Sequence, residues 1–265
     1  MPDKLYNTLD DLDVNGKLVL VRADLNAPMN KDLQITDESR INLVAPTLME
    51  LSARGARTIL ISHLGRPAGK RTSQLSLRLV SASLSKALGG IDIMFASNCI
   101  GTNAQAISST IKPGDFALLE NLRFHKGEEA NDPNFAAKLS ALGDIYINDA
   151  FSTSHRHHAS VVGVPALLPN AAGRLMQTEL DALSRVLSHP DPPTMAIIGG
   201  AKISTKLKLI GNLIDHVEVI AIGGGMANTF LYSQGIQIGT SICEPEMADE
   251  ARAILARANE NSCEI

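Results

Sequence analysis

Tryptophan is absent, tyrosine occurs three times and phenylalanine six times, so aromatic residues make up only 3% of the 265-residue chain. That is too few rings to build the stacking platforms on which proteins hold single-stranded nucleic acid. A positive excess is missing too: 24 Lys and Arg face 28 Asp and Glu, for a net charge of −4. A general binder of nucleic-acid backbones is therefore not expected. Cysteine is scarce, with Cys99, Cys243 and Cys263 widely spaced and no Cys-x-x-Cys. Neither a disulfide framework nor a zinc knuckle fits, and a reducing cytoplasm is the default. No apolar run has the length of a membrane helix, and the opening MPDKLYNTLDDLDVNG lacks a secretory apolar stretch. Hydrophobic residues at 45% and charged residues at 20% fit an ordinary folded protein acting on something small.

Short apolar runs recur at Leu18 to Arg22, Thr58 to Ser62, Ile91 to Phe95, Phe116 to Leu119 and Ile145 to Ile147. They lack polar alternation, as strands buried on both faces do. Helical spacing appears between them, clearly at Ile41, Val44, Leu48 and Leu51 and less regularly at Leu75, Leu79 and Leu84. Asn131, Asp132 and Pro133 open a further helix over 133–142. This alternation predicts an α/β fold with a mainly parallel sheet and helices on both faces. Met176, Leu180, Leu183 and Leu187 mark a helix from about Ala171, which His189-Pro190-Asp191-Pro192-Pro193 stops. The βα pattern then restarts: a strand over Thr194 to Ile198, a helix over Ile203 to Ile214 and a strand over Val217 to Ile222. Gly223-Gly224-Gly225 turns into a helix at Met226 to Tyr232. The domain reading is a first lobe over 1–170, a connecting helix over 171–190 and an incomplete second lobe over 191–265. Two clear strands are too few for a stable open sheet, and ARAILARANENSCEI reads as a helix running into a strand that stops.

In an open parallel sheet, ligands bind beyond the carboxyl ends of the strands. Asp24, Asn26 and Pro28 follow the first strand, and His63, Gly65, Arg66, Lys70 and Arg71 follow the second. Asn121, Arg123, His125 and Lys126 follow the strand at 116–119; Asn148, Asp149, His155, Arg156, His157 and His158 follow the one at 145–147. Loops are polar anyway, which accounts for most of these residues singly. It accounts poorly for arginine recurring after three strands. Guanidinium groups bind phosphate and carboxylate in a fork, so this edge suits a small anion. Arg40 stands in the first turn of a helix that Thr36 or Asp37 would cap, where the dipole disfavours a cation unless an anion shares the helix end. Pairing with Asp37 or Glu38 is the plain alternative.

In the second lobe, Gly199-Gly200-Ala201-Lys202 follows a strand and is expected to open a helix that puts Lys202 and Lys206 on one face. Like charges four residues apart repel, and a bound polyanion would relieve that; two solvated lysines explain the pattern about equally well. Gly223-Gly224-Gly225 offers a second place where a ligand can approach the backbone. Other matches fail. Gly65 to Lys70 has the wrong length for a phosphate-binding loop and lacks Ser or Thr after the Lys, and Asn228 replaces the third glycine of a dinucleotide fingerprint. His155, His157 and His158 do not have zinc spacing, and Cys99 reads as structural.

At these residues the sequence resembles the phosphoglycerate kinase family. The matching runs are GKLVLVRADLNAPM (16–29), ITDESRI (35–41), SHLGRPAGK (62–70), LLENLRFHKGEEANDPNFAAKL (118–139), YINDAFSTSHRHHASVVGVPA (146–166), GGAKISTKLKLIGNLI (199–214) and GGGMANTFL (223–231). They span nearly the whole chain in the family's order. The resemblance implies two Rossmann-like three-layer lobes joined by a helix, and reversible phosphoryl transfer from 1,3-bisphosphoglycerate to ADP, giving 3-phosphoglycerate and ATP with Mg2+. It assigns Asp24 and Asn26 to the glycerate, and His63, Arg66, Arg123 and Arg156 to its phosphate and carboxylate. Arg40 and Lys202 become catalytic, acting on the phosphoryl group in flight. Gly200, Ala201, Lys202, Lys206 and Gly224 fall on the nucleotide side. A cytoplasmic monomer with no nucleic-acid or membrane partner is implied. Ser152, Ser154, His157 and Thr205 depart from the family's usual residues. The family's later nucleotide carboxylate and its glycine-rich segment with the magnesium-binding Asp have no counterpart in these residues, so no metal ligand is expected within this chain. The chain thus reads as stopping inside the second lobe, and a non-catalytic 3-phosphoglycerate-binding module is the alternative function.

Overall fold

A computed structural model of the chain describes residues 6–188 and 192–265. It divides into two compact units, Met1–Glu179 and Leu180–Ile265. The expected break at His189, Pro190 and Asp191 lies outside the described residues.

The first unit runs β1 (Leu18–Ala23), α1 (Ser39–Ala53), β2 (Arg57–Ile61), α2 (Ser81–Ala87), β3 (Ile93–Ala96), α3 (Thr102–Thr110), β4 (Phe116–Leu119), α4 (Lys126–Glu129), α5 (Pro133–Ser140), β5 (Ile145–Asp149), β6 (Asn170–Ala172) and the start of α6 (Arg174–Ser188). The strands form one parallel sheet in the order β3-β4-β2-β1-β5-β6. Successive side chains of a strand point to opposite faces. Val19 and Val21 accordingly join one buried cluster with Ile41, Val44, Leu48 and Leu51 of α1. Leu20, between them, joins a second cluster with Phe135 and Leu139 of α5. Burial on both faces is why these strands read as unbroken apolar runs.

Local chemistry sets the helix starts. The Asp37 carboxylate accepts from the Ser39 amide at 2.8 Å ahead of α1. The Asp132 carboxylate accepts from the Phe135 amide at 2.8 Å, with Pro133 in the first turn of α5.

In the second unit β7 (Met195–Gly199) and β8 (Val219–Gly223) pair in parallel. Around them lie α7 (Leu207–Ile214), α8 (Gly225–Ser233) and α9 (Ala248–Glu260). Ile198, Ile203, Ile210, Ile220, Met226 and Phe230 form the core. After α9 the chain returns to the sheet, where Glu264 bridges Val219 in parallel.

Two sequence expectations differ from the structure. The connecting helix starts at Arg174, not near Ala171, because Asn170–Ala172 pair with β5 as an edge strand; nothing in an Asn-Ala-Ala run announces a strand. The helix expected from Ile203 begins at Leu207. Ser204 and Thr205 divert the backbone: the Ser204 amide and hydroxyl donate to Glu244 at 3.1 and 2.6 Å, and the Thr205 hydroxyl donates to the Lys202 carbonyl at 3.1 Å. Lys202 and Lys206 therefore do not share a helical face, and the repulsion argument built on them does not hold. Among the described residues no helix is long and apolar enough to cross a membrane.

Candidate functional site

The first unit's sheet has β2 on one side of β1 and β5 on the other. The carboxyl ends of β1 and β5 therefore flank a topological switch point, where open α/β sheets bind ligands. A cleft of about 220 Å³ opens there, lined by Asp24, Arg40, Val44, Asp149, Ser152 and Leu175, among others.

Asp24 organises the cleft. One carboxylate oxygen, Oδ2, takes the Arg40 guanidinium and also the Ser152 hydroxyl, the latter at 2.5 Å. The other accepts from the Asn26 amide at 3.1 Å. Arg40 thus pairs with neither Asp37 nor Glu38. Asp37 turns onto the Ser39 amide, and Glu38 is held by Lys86 at 3.0 Å and Ser83 at 2.9 Å. The Arg40 side chain stays 46% exposed, so its positive charge faces solvent and can meet a ligand.

The loop after β2 is pinned from three sides. The Asn26 side chain accepts from the Gly65 amide at 2.8 Å, Arg123 donates to the Gly65 carbonyl at 2.8 Å, and Asn121 donates to the Leu64 carbonyl at 2.7 Å. Asn26 and Arg123 therefore hold the segment that carries His63 and Arg66. Arg123 is itself buried, with Nε 3.4 Å from Glu129, whereas Arg66 is exposed.

His63 is 3% exposed. Burial, then the charges of Arg22, Arg156, His158 and Arg40, push its pKa down to about 3, so the ring is neutral. Arg22 of β1 lies 3.1 Å from the ring, and the charges of Arg40 on α1 and Arg156 after β5 also act on it. Arg156 is half-buried, and its Nε has no hydrogen-bond partner. An unpaired buried donor is costly, and an incoming acceptor would satisfy it.

The structure thus gathers Asp24, Asn26, Arg40, His63 and Arg156 along one edge, with Arg123 just behind and Arg66 on the same loop as His63. Two other polar residues named in these loops bond the scaffold. His125 bonds Asn98 at 2.7 Å, and Arg71 donates to the Ser97 carbonyl at 2.6 Å. Cys99 is buried, and burial raises its thiol pKa, consistent with the structural reading. Ser160, Glu128 and the contact role of Arg22 are not legible in the sequence, nor are the particular bonds made by Asn121 and Ser152. A charged residue closing an apolar strand run was the available signal for Arg22.

In the second unit, the Gly199–Gly223 pairing brings the carboxyl ends of β7 and β8 together. The Gly200 carbonyl accepts from the Met226 amide at 3.0 Å. Gly224 has φ +72°, and a Cβ there would meet the Gly200 carbonyl oxygen at 2.7 Å, so only glycine fits. Gly200, Ala201 and Gly224 are thus neighbours, with exposed Lys202 next along the chain and half-buried Lys206 at the start of α7. Among the described residues no group of three or more His, Cys, Asp or Glu could hold a metal ion.

A parallel sheet whose switch point carries guanidinium groups, followed by a second α/β unit with glycine-lined strand ends, defines a two-unit α/β protein with a cationic edge in its first unit. Comparison with known proteins narrows the class. The family model for phosphoglycerate kinase matches residues 9–265. Phosphoglycerate kinases of Rhodospirillum centenum and Brucella melitensis are 53% and 51% identical over 98% of the chain. The solved phosphoglycerate kinase of Coxiella burnetii aligns with a TM-score of 0.88 at 39% identity, covering 98% of this chain and 65% of that one. That of Pyrococcus horikoshii aligns at 0.74 and 30%, covering 97% and 64%. The chain belongs to the phosphoglycerate kinase family. It spans 65% of the length of the curated relatives from R. centenum and B. melitensis.

Proposed function

We propose that the protein transfers a phosphoryl group reversibly from 1,3-bisphosphoglycerate to ADP, giving 3-phosphoglycerate and ATP. The observation that carries this reading is the convergence of Arg40, Arg156 and neutral His63 on the strand ends beside Asp24. Family membership supports the enzyme over a non-catalytic module.

In this reading Asp24 and Asn26 hold the glycerate, and His63, Arg66 and Arg156 hold its phosphate and carboxylate, with Arg123 fixing the loop they stand on. Asp24 pairs with Arg40. A glycerate hydroxyl that donates to Asp24 competes for that carboxylate and releases Arg40 toward the phosphoryl group. Phosphoryl transfer asks little covalent help of a protein; positioning and charge neutralisation do most of the work. The acceptor is already a carboxylate or phosphate anion, so no general base is needed. Lys202 steadies the transferred group, Lys206 contacts nucleotide phosphates, and Gly200, Ala201 and Gly224 let ADP or ATP approach the backbone. Magnesium accompanies the nucleotide phosphates in this reading. The described residues do not supply a cage for it, and no step is routed through it. The reading places the protein in the cytoplasm as a monomer, with neither nucleic acid nor membrane as partner.

A coupled assay with 3-phosphoglycerate and Mg-ATP tests this, on the chain joined to the part of the R. centenum protein that it does not match. Turnover that Arg40→Ala and Lys202→Ala each lower sharply is expected. A folded chimera with no turnover of 3-phosphoglycerate would overturn the proposal.

A further inference from the structure

Arg22 is 1% exposed at the end of an apolar run in β1. Its Nε donates to the Ser160 hydroxyl at 3.0 Å, one terminal nitrogen donates to the Ala23 carbonyl, and the other lies 3.1 Å from His63 Nδ1. A guanidinium has donors only and stays protonated. His63 Nδ1 must therefore offer its lone pair, and the proton of the neutral ring must sit on Nε2. The contact fixes a tautomer as well as a position.

A second layer holds Arg22. The Ser160 hydroxyl accepts from Arg22 and donates to Glu128 at 2.6 Å, while the Ser160 amide donates to the other Glu128 oxygen at 3.0 Å. The Tyr146 hydroxyl donates to the Ser160 carbonyl at 2.6 Å and locks that segment. Glu128 is fully buried. It provides the countercharge without which a buried guanidinium is strongly unfavourable.

We infer that Glu128, Ser160 and Arg22 form a positioning relay that holds His63 as a neutral imidazole with its proton on Nε2, so that it offers the bound acid a neutral donor rather than a cation. The second half of that statement rests on the proposed anion site; the first does not. The charged and titratable groups acting on His63 are Arg22 from β1, Arg40 from α1, and Arg156 and His158 from the segment after β5. A further positive charge among three arginines would be repelled. A neutral donor adds a hydrogen bond whose strength does not change across the physiological pH range.

Nitrogen-15 NMR of histidine-labelled protein tests the relay on the whole chain without ligand. Between about pH 5 and 8, His63 should show an unprotonated Nδ1, a protonated Nε2 and no titration. A proton on Nδ1, or titration near the ordinary value of about 6.5, would overturn the inference even if no variant folds. Ser160→Ala removes the hydroxyl that joins Arg22 to Glu128, so the guanidinium is no longer held against the ring. It should mix the tautomers or raise the His63 midpoint by about one unit or more, and an unchanged spectrum in the folded variant would remove the Ser160 hydroxyl and its link to Glu128 from the relay. Adding 3-phosphoglycerate should shift the Nε2 signal. An Nε2 tautomer that ignores 3-phosphoglycerate would contradict the anion site while leaving the relay standing.

Discussion

At the scale of single residues, the edge cluster sets donors around one carboxylate: Asp24 takes the Arg40 guanidinium, the Ser152 hydroxyl and the Asn26 amide. Arg40 is the residue whose contact should strengthen most as the phosphoryl group moves. In an active chimera, Arg40→Ala should lower kcat far more than it raises the KM for 3-phosphoglycerate; equal effects on both would contradict a transition-state role. Arg66 and Arg156 should act mainly on binding. Each alanine variant should weaken 3-phosphoglycerate binding by about 1.5–3 kcal/mol, the range for losing a hydrogen bond to a charged group, as read by calorimetry.

Two buried titratable groups give opposite pH signs. The pKa of His63 is depressed from 6.5 to about 3. Its stabilising contribution is thus complete above 6.5 and is lost as pH falls through 3. The pKa of Asp149 is raised from 3.8 to about 6 by burial, against the pull of the Thr47 hydroxyl and the Met176 and Leu175 amides. Its contribution is complete below 3.8 and is lost as pH rises through 6. Asp149→Asn keeps an acceptor for the Met176 amide but cannot ionise. Its stability relative to the parent should therefore grow between pH 4 and pH 7 in urea titrations, and a flat difference would show that Asp149 does not titrate as described.

At the scale of elements, the start of α6 is fastened to the sheet that carries the site. The Arg174 amide donates to Thr47 at 3.0 Å and the Met176 amide to Asp149 at 3.0 Å. The Arg174 guanidinium reaches Asp10 at 2.6 Å and Glu50 at 2.7 Å. Gly173 leaves no room for a side chain, since a Cβ would lie 2.3 Å from an Asp149 oxygen. Gly173→Ala should push that carboxylate off the helix and cost about 1–3 kcal/mol. A change below about 0.5 kcal/mol in urea unfolding, within the usual range for neutral surface changes, would mean that the clasp contributes nothing.

Legibility in the sequence also divides by element. β1, β2, β4 and β5 were readable because burial on both faces leaves an apolar run that needs no partner to recognise. α1 was readable from its period and α5 from Asp132 and Pro133 at its start; the cap of α1 is Glu38 rather than Thr36 or Asp37, and its side chain makes no capping bond. β6 was not, because an edge strand of Asn and two alanines exists only by pairing with β5. The start of α7 was misplaced because Ile203 keeps its core position while Ser204 bonds Glu244, a residue forty positions away. The site shows the same split. Arginine recurring after strands announced a cationic edge, but the bonds from Asn26, Asn121 and Arg123 to the Leu64–Gly65 backbone depend on neighbours that only the sheet order supplies.

At the scale of the whole molecule, the cationic strand edge lies in residues up to 179 and the glycine-lined strand ends lie beyond 180; in the proposed function the first holds the acid and the second the nucleotide. The first unit has its six-stranded sheet and two buried clusters, so its binding function should be separable from turnover. Calorimetric titration of the 265-residue chain with 3-phosphoglycerate tests this most directly. The structure predicts one site per chain, weakened by Arg156→Ala and by Arg66→Ala but not by Lys202→Ala. A correctly folded chain that takes up no 3-phosphoglycerate, or one whose affinity is untouched by both arginine changes, would contradict it.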